Sequence, residues 1–243
     1  MITLYGMGSP NVVKVLIALE ELGLAYDFRY VEVLRGDQFE EAFGELTPNR
    51  KVPVLVDGEG PARGDGSPFR IWESGAILLY LAEKTGRLLP ADPAGRYAAW
   101  QWLMFQMASV GPMSGQHAHF TWYAKHENQH YANARYTTEV KRIYDVLETR
   151  LRESAYLAGD EFTIADIATW PWLRGSYPKS IDISDRPALH RWVEEIRARP
   201  AAQRALEVIA SLDTTDTMRI IKEGGPQLDR YLGRGAFSRP EPA

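Results

Sequence analysis

No cysteine occurs anywhere in the 243 residues. That absence excludes disulfide scaffolds, cysteine-zinc sites, iron-sulfur clusters and every nucleophile that is a protein thiol. A basic excess is also missing: 28 Lys+Arg stand against 32 Asp+Glu, a formal net charge of -4, and no run of clustered Lys or Arg stands out. Without a cationic excess to collect phosphates, no nucleic-acid partner is expected. Long apolar runs are missing too. Nothing approaches the ~18 residues of a membrane span, and Met1-Ile2-Thr3-Leu4-Tyr5 lacks the charged start and apolar core of a secretion signal. A cytoplasmic protein with no membrane partner is the expectation. What is present is 45% hydrophobic residues, in a length that accommodates one large domain or two small ones with an adequate core.

Ile2 to Tyr5 is a short apolar run, broken by Gly6-Met7-Gly8-Ser9-Pro10. Apolar side chains at 12, 13, 15, 16, 17, 19 and 22 then predict a helix stopped by Gly23. Alternation from Tyr26 to Val33 predicts a second strand, and Gln38 to Glu45 a short helix. Val52-Pro53-Val54-Leu55-Val56-Asp57 is strand-like, with a proline that belongs at a strand's first residue, an edge or a cis turn. A loop rich in Gly, Pro and Asp over 58–68 precedes a strand from Phe69 to Trp72 and a helix from Ser74 to Thr85. This is the element order of a thioredoxin-like α/β unit.

Beyond residue 86 the strand pattern stops. Helices are predicted over about 94–112, 131–153, 164–174, 187–198 and 200–211; in the second, Val140, Ile143, Tyr144, Leu147 and Leu151 make one apolar face. The predicted fold class is α/β plus all-α: a thioredoxin-like domain over 1–86, a linker over 87–93, an all-helical bundle over 94–211, and a tail over 212–243 that wraps the surface or frays.

Several constellations could carry chemistry. Gly8-Ser9-Pro10-Asn11 opens the first helix, with Ser9 suited to N-cap and Pro10 to the first helical position. Ser9 either only caps, or it joins Asn11 in holding an anion at the positive end of the helix, where a thiol pKa is depressed. Since the chain has no cysteine, a thiolate held there belongs to a ligand. Asn49-Arg50-Lys51-Val52-Pro53 and Trp72-Glu73-Ser74 form a second group. A cis proline after Val52 would leave that backbone free to pair with an extended peptide, while Glu73 suits a ligand ammonium and Ser74 a ligand carboxylate. Singly, Pro53 could merely shape a turn and Ser74 merely cap its helix. His126-Glu127-Asn128-Gln129-His130 matches the H-E-x-x-H spacing of zinc sites, but its surroundings are polar nearly throughout and no third ligand is marked, so no metal is expected. Thr163 and Asp166 read as a capping box, flanked by Phe162 and Ile167 as a hydrophobic staple, which is a structural role. Most aromatics of the helical half, Trp100, Trp102, Trp170 and Trp172 among them, read as core, although some could line an apolar acceptor pocket.

Taken together, Ser9-Pro10-Asn11, Lys51-Val52-Pro53, Glu73-Ser74-Gly75-Ala76-Ile77 and Tyr156-Leu157-Ala158-Gly159 followed by Phe162-Thr163-Ile164-Ala165-Asp166 resemble a glutathione transferase over about residues 1 to 210. Ser9-Pro10-Asn11, the loop before Phe69, Gly111 to Phe120 and Ala134-Arg135-Tyr136 are most similar to the bacterial nu class, whose members are disulfide-bond reductases. The class often has threonine where Ser9 stands. The resemblance implies glutathione as a bound co-substrate and glutathione disulfide as a partner. Glu73 and Ser74 would hold the γ-glutamyl end, Val52, beside Pro53, would pair with the cysteinyl backbone, and Gln38 and Lys51 would lie along the rest. Asn11 with Ser9 would hold the sulfur. Arg135 would reach the partner's site in a homodimer. Tyr5, inside the apolar run, would be a packing residue. The second substrate would be a small disulfide or, as an alternative, an electrophilic carbon compound; a non-catalytic glutathione-binding regulatory module is the remaining reading.

Overall fold

Residues 1–123, 129–174 and 181–238 are described by the structure, a computed structural model. A four-stranded mixed sheet in the order β2-β1-β3-β4 anchors the amino-terminal half. β1 (Ile2–Gly6) runs parallel to β2 (Tyr26–Tyr30) and antiparallel to β3 (Val54–Asp57), which pairs antiparallel with β4 (Phe69–Trp72). Alternation of buried and half-buried residues along β1 puts Ile2 and Leu4 into the core. Between β1 and β2 lies α1 (Pro10–Leu22), capped by Ser9 and ended by Gly23. α2 (Glu41–Leu46) precedes β3, and α3 (Ser74–Thr85) follows β4. Strand β2 is shorter than its alternation predicts: after Val31 bonds to Gly6, Glu32 turns its carboxylate back onto the Leu34 N–H and the chain leaves the sheet. Gln38 falls in a 3₁₀ turn (Asp37–Phe39) ahead of α2 instead of inside a helix.

The helical half begins with α4 (Pro93–Phe105), which does not stop near 112 as predicted. It passes through a π-helical turn (Gln106–Val110) into α5 (Gly111–Ala118) and a second π turn (His119–Tyr123). Proline inside a regular α-helix loses a hydrogen bond and clashes with the preceding turn. Here Pro112 sits directly after the wide turn, where the backbone ladder is already interrupted. α6 (His130–Glu153) presents the predicted apolar face, with Val140, Ile143, Tyr144, Leu147 and Leu151 all buried. α7 (Ile164–Thr169) ends in a 3₁₀ turn (Trp170–Trp172), followed by α8 (Pro187–Arg197) and α9 (Pro200–Ala210). One hydrophobic core runs through both halves, joining Leu16 and Leu78 to Leu103, Ile167 and Trp192. Arg199–Glu21 and Arg204–Glu20 ion pairs tie α9 to α1.

The tail wraps the surface but is more ordered than its weak periodicity suggests. It forms α10 (Thr215–Glu223) and α11 (Pro226–Leu232), separated by Gly224 and Gly225. Ile220 and Leu228 cluster with Leu34, and Thr217 donates to the buried Glu32 carboxylate. Helices this short are marginal on their own, and their anchor is a loop nearly 190 residues upstream. Among the described residues no helix is long and apolar enough to cross a membrane.

Candidate functional site

Ser9 holds extended backbone angles, and its Oγ accepts from the Val12 N–H at 3.4 Å, a long cap. Pro10 supplies no N–H. The next residue, Asn11, lines a cleft of about 260 Å³, and its side chain makes no hydrogen bond among the described residues. A polar amide thus stands beside the positive end of a 13-residue helix, facing open space.

A second wall comes from the chain entering β3. Asn49, Lys51, Val52 and Pro53 line the cleft; the Val52–Pro53 bond is cis, as one of the sequence options had it, and Val52 lies outside the sheet ladder, which starts at Val54. The third wall is the start of α3. Glu73 is held at φ 72°, a left-handed value that costs a non-glycine residue about 1–3 kcal/mol and concentrates at functional sites. No side chain caps this helix. Its first amides are thus left without a side-chain cap at Glu73 and Ser74, both of which line the cleft, and an uncapped helix start of this kind suits an anion. Asn49 Nδ2 donates to Glu73 Oε1 at 3.4 Å, leaving the other carboxylate oxygen open.

The helical half closes the cleft with Gln106, Met107, Gly111, Pro112 and Trp172. At its floor lies Lys14, one turn along α1 from Asn11 and 1% exposed. Lys14 Nζ donates to Gln106 Oε1 at 2.7 Å, Ser74 Oγ at 3.1 Å and Met107 Sδ at 3.7 Å. Burial pushes this ammonium down to about 7, against the opposing attraction of Glu73. Two glycines make the junction possible: a Cβ at Gly75 would stand 3.0 Å from Met107 Cγ, and one at Gly111 2.8 Å from Gln106 Nε2.

Of the residues singled out from sequence, Asn11, Lys51, Val52, Pro53, Glu73 and Ser74 line this one cleft. Ser9 adjoins it without lining it. Gln38 is buried away from the lining with no partner for its Oε1 among the described residues, while Arg50 donates to its backbone carbonyl. Arg135 is exposed on α6 and does not reach the cleft of its own chain. Tyr5 packs edge-on against Phe43 and is absent from the lining, in keeping with a packing role. The Thr163–Asp166 capping box is present in full. His126 and Glu127 lie outside the described residues, and among the described residues no three His, Asp or Glu side chains gather as metal ligands. Sequence reasoning missed Lys14, Gln106 and Met107. The available signal was a single lysine in the apolar run Val12-Val13-Lys14-Val15-Leu16-Ile17, three residues after Asn11 on the same helix face.

This geometry agrees with what known proteins share with the chain. Residues 8–84 match the family model for the glutathione S-transferase N-terminal domain, and residues 104–200 match that for the C-terminal domain. The chain is 45% identical over 206 residues to the disulfide-bond oxidoreductase YfcG of Escherichia coli, covering 85% of this chain and 94% of that protein. It is 41% identical over 214 residues to the disulfide-bond oxidoreductase YghU of the same organism, covering 83% of this chain and 72% of the relative. A crystal structure of a glutathione transferase from Pseudomonas putida, with one glutathione disulfide bound per subunit, superposes with a TM-score of 0.78 at 40% identity, covering 85% of this chain and 91% of that one. The chain belongs to the glutathione S-transferase family.

Proposed function

We propose that the protein is a glutathione-dependent disulfide-bond reductase whose reactive sulfur is carried by glutathione bound in the Asn11–Ser74 cleft. The observation that carries this reading is the meeting of two incompletely capped helix starts and the unpaired Val52 segment in a single cleft of a chain without cysteine. Glu73 takes the γ-glutamyl ammonium, and Ser74 with the first amides of α3 takes the carboxylate. Val52 pairs with the cysteinyl backbone as an added strand does, and Lys51 follows the rest of the tripeptide, whereas Gln38, buried away from the lining, has no direct place along it. This leaves the sulfur beside Asn11, where the side-chain amide and the amino end of α1 stabilise a thiolate.

The thiolate attacks one sulfur of a disulfide. A new sulfur-sulfur bond forms, the old one breaks, and the departing sulfur leaves as a thiolate that takes its proton from solvent. A second glutathione thiolate attacks the mixed disulfide, giving glutathione disulfide and releasing the other thiol. Since nucleophilicity falls as thiol pKa falls, a thiol lowered toward neutrality serves this reaction better than one lowered far below it. The relatives named disulfide-bond oxidoreductases favour this chemistry over conjugation of electrophilic carbon.

Finer assignments belong to the same proposal. The chain is a nu-class, cytoplasmic homodimer. Residues 1–86 form the glutathione-binding domain, 94–211 the helical domain, and Arg135 completes the partner's site. Turnover of hydroxyethyl disulfide set against turnover of chlorodinitrobenzene tests the reaction. The disulfide is expected to be the better substrate by a wide margin, and the reverse ranking would make the protein a conjugating transferase. Arg135→Ala is expected to raise the KM for glutathione without dissociating the dimer, as gel filtration would register.

A further inference from the structure

Lys14 takes no part in the function proposed above, yet it is the most expensive side chain in the cleft. A buried ammonium is stable only when its three N–H groups are all accepted. The fold supplies three acceptors from two elements outside α1: Ser74 Oγ, Gln106 Oε1 and Met107 Sδ. None of the three is charged. Among the described residues no carboxylate lies within ion-pair distance of Lys14, and the exposed Glu73 is the charge that acts on it. A buried cation with neutral partners, on the floor of an open cleft, leaves positive potential to be met by an incoming anion.

Its bond to Ser74 also sets a polarity. In its charged form lysine has no acceptor, so Ser74 Oγ must then be the acceptor in this pair and its own hydrogen is directed elsewhere. Within the protein the alternative is the Met107 sulfur at 3.8 Å, a weak acceptor. We propose that Lys14 is a positioning residue for the γ-glutamyl carboxylate: it turns the Ser74 hydroxyl into a donor facing the cleft and places a positive charge behind it. The ligand's two ends are thereby sorted, carboxylate to Ser74 and ammonium to Glu73. Gln106 holds Lys14 from the helical half, so both halves contribute to this selection. The assignment rests on glutathione being the ligand of this cleft.

A consequence in protons follows. With its pKa near 7 in the ligand-free protein, Lys14 is mostly neutral at pH 8 and mostly charged at pH 6, and at pH 8 an arriving carboxylate draws a proton onto it. The charged groups facing it are Glu73 from the start of α3 and Lys51 from the loop before β3; Gln106, Met107 and Trp172, from the helical half, are neutral.

The test uses S-methylglutathione, which has no thiol to ionise, and the analogue in which 4-aminobutyrate replaces γ-glutamate, which keeps the ammonium but lacks the carboxylate. Calorimetric titrations in buffers of different ionisation enthalpy give affinity and proton uptake together. Wild type is expected to take up more protons with S-methylglutathione at pH 8 than at pH 6, an excess that the analogue does not show. Removal of the carboxylate is expected to weaken wild-type binding roughly 10- to 100-fold, the range for a hydrogen bond to a charged group. In Lys14→Gln the same removal is expected to cost only a few-fold, and the excess uptake should vanish. Equal carboxylate penalties in the two proteins, or wild-type uptake that does not depend on the carboxylate, would overturn the role of Lys14 alone. If wild type does not bind S-methylglutathione, the glutathione reading falls and this role falls with it. Should Lys14→Gln not fold, the wild-type comparison of the two ligands at pH 6 and pH 8 still decides.

Discussion

The amino ends of α1 and α7 begin from the same vocabulary, a hydroxyl cap with a polar side chain in the first turn, and come to opposite ends. At α7, Thr163 Oγ1 accepts from the Ala165 N–H, and the fully buried Asp166 accepts from Leu157 N, Thr163 N, Thr163 Oγ1 and Trp192 Nε1 at 2.9–3.2 Å. Every polar group of that turn is consumed inside the protein. At α1, the cap from Ser9 is long, Pro10 has no N–H, and Asn11 faces the cleft with its hydrogen-bonding capacity unspent. The same helix-start chemistry therefore builds the core where it is closed and a ligand site where it is left open. α3 repeats the open pattern, with strained Glu73 in place of a cap.

Substitutions at the two ends should separate these roles. Asp166→Ala strands several buried donors and is expected to lower stability by about 3–5 kcal/mol, read from denaturant unfolding, with the KM for glutathione of the remaining folded protein unchanged. Asn11→Ala should do the reverse: a fall of roughly 10²- to 10³-fold in disulfide turnover, as for loss of one donor to a developing anion, with stability within about 0.5 kcal/mol of wild type. A large stability loss from Asn11→Ala, or normal turnover, would erase the distinction between the two helix starts.

Lys14 supplies a pH-dependent sharpening. Its folded pKa of about 7 lies below the unfolded value of 10.5, so between those limits the unfolded chain binds the extra proton and stability rises with pH. The ligand-free protein should gain at most about 1.4 kcal/mol per pH unit from this group above pH 7. Lys14→Met is expected to remove that slope, whatever its effect on absolute stability. Thermal unfolding of both proteins from pH 7 to 9 reads the difference. The smallest effect is expected from Ser9→Ala, about 0.5–1 kcal/mol of helix-cap stability with a partial loss of turnover.

What could be read from the chain follows the range of the interactions. Strand β1, helix α1 with its Ser9 cap and Gly23 stop, the Thr163–Asp166 box and the apolar face of α6 are all set within a few residues, and each is visible in the sequence. Gathering Asn11, Val52 and Glu73 into one cleft depends on the sheet bringing three loops to one edge, which the element order already implied. Lys14 escaped because its partners lie 60 and 92 residues away, and nothing local tells a buried cation from a solvated one. The helix running past Pro112 and the docking of α10 on Glu32 escaped for the same reason: the first depends on a π turn, the second on a contact across nearly the whole chain.

The absence of cysteine makes the central claim directly measurable, since any thiol in the complex belongs to the ligand. Thiolate ultraviolet absorbance of bound glutathione, taken as a difference against bound S-methylglutathione and titrated with pH, reports the pKa of the sulfur in the cleft. The account predicts a value lowered toward neutrality from the ordinary thiol value of about 8.5 in wild type, and a return toward that value in Asn11→Ala. A bound thiol that titrates at its ordinary value in wild type, or whose lowering survives Asn11→Ala intact, would contradict it.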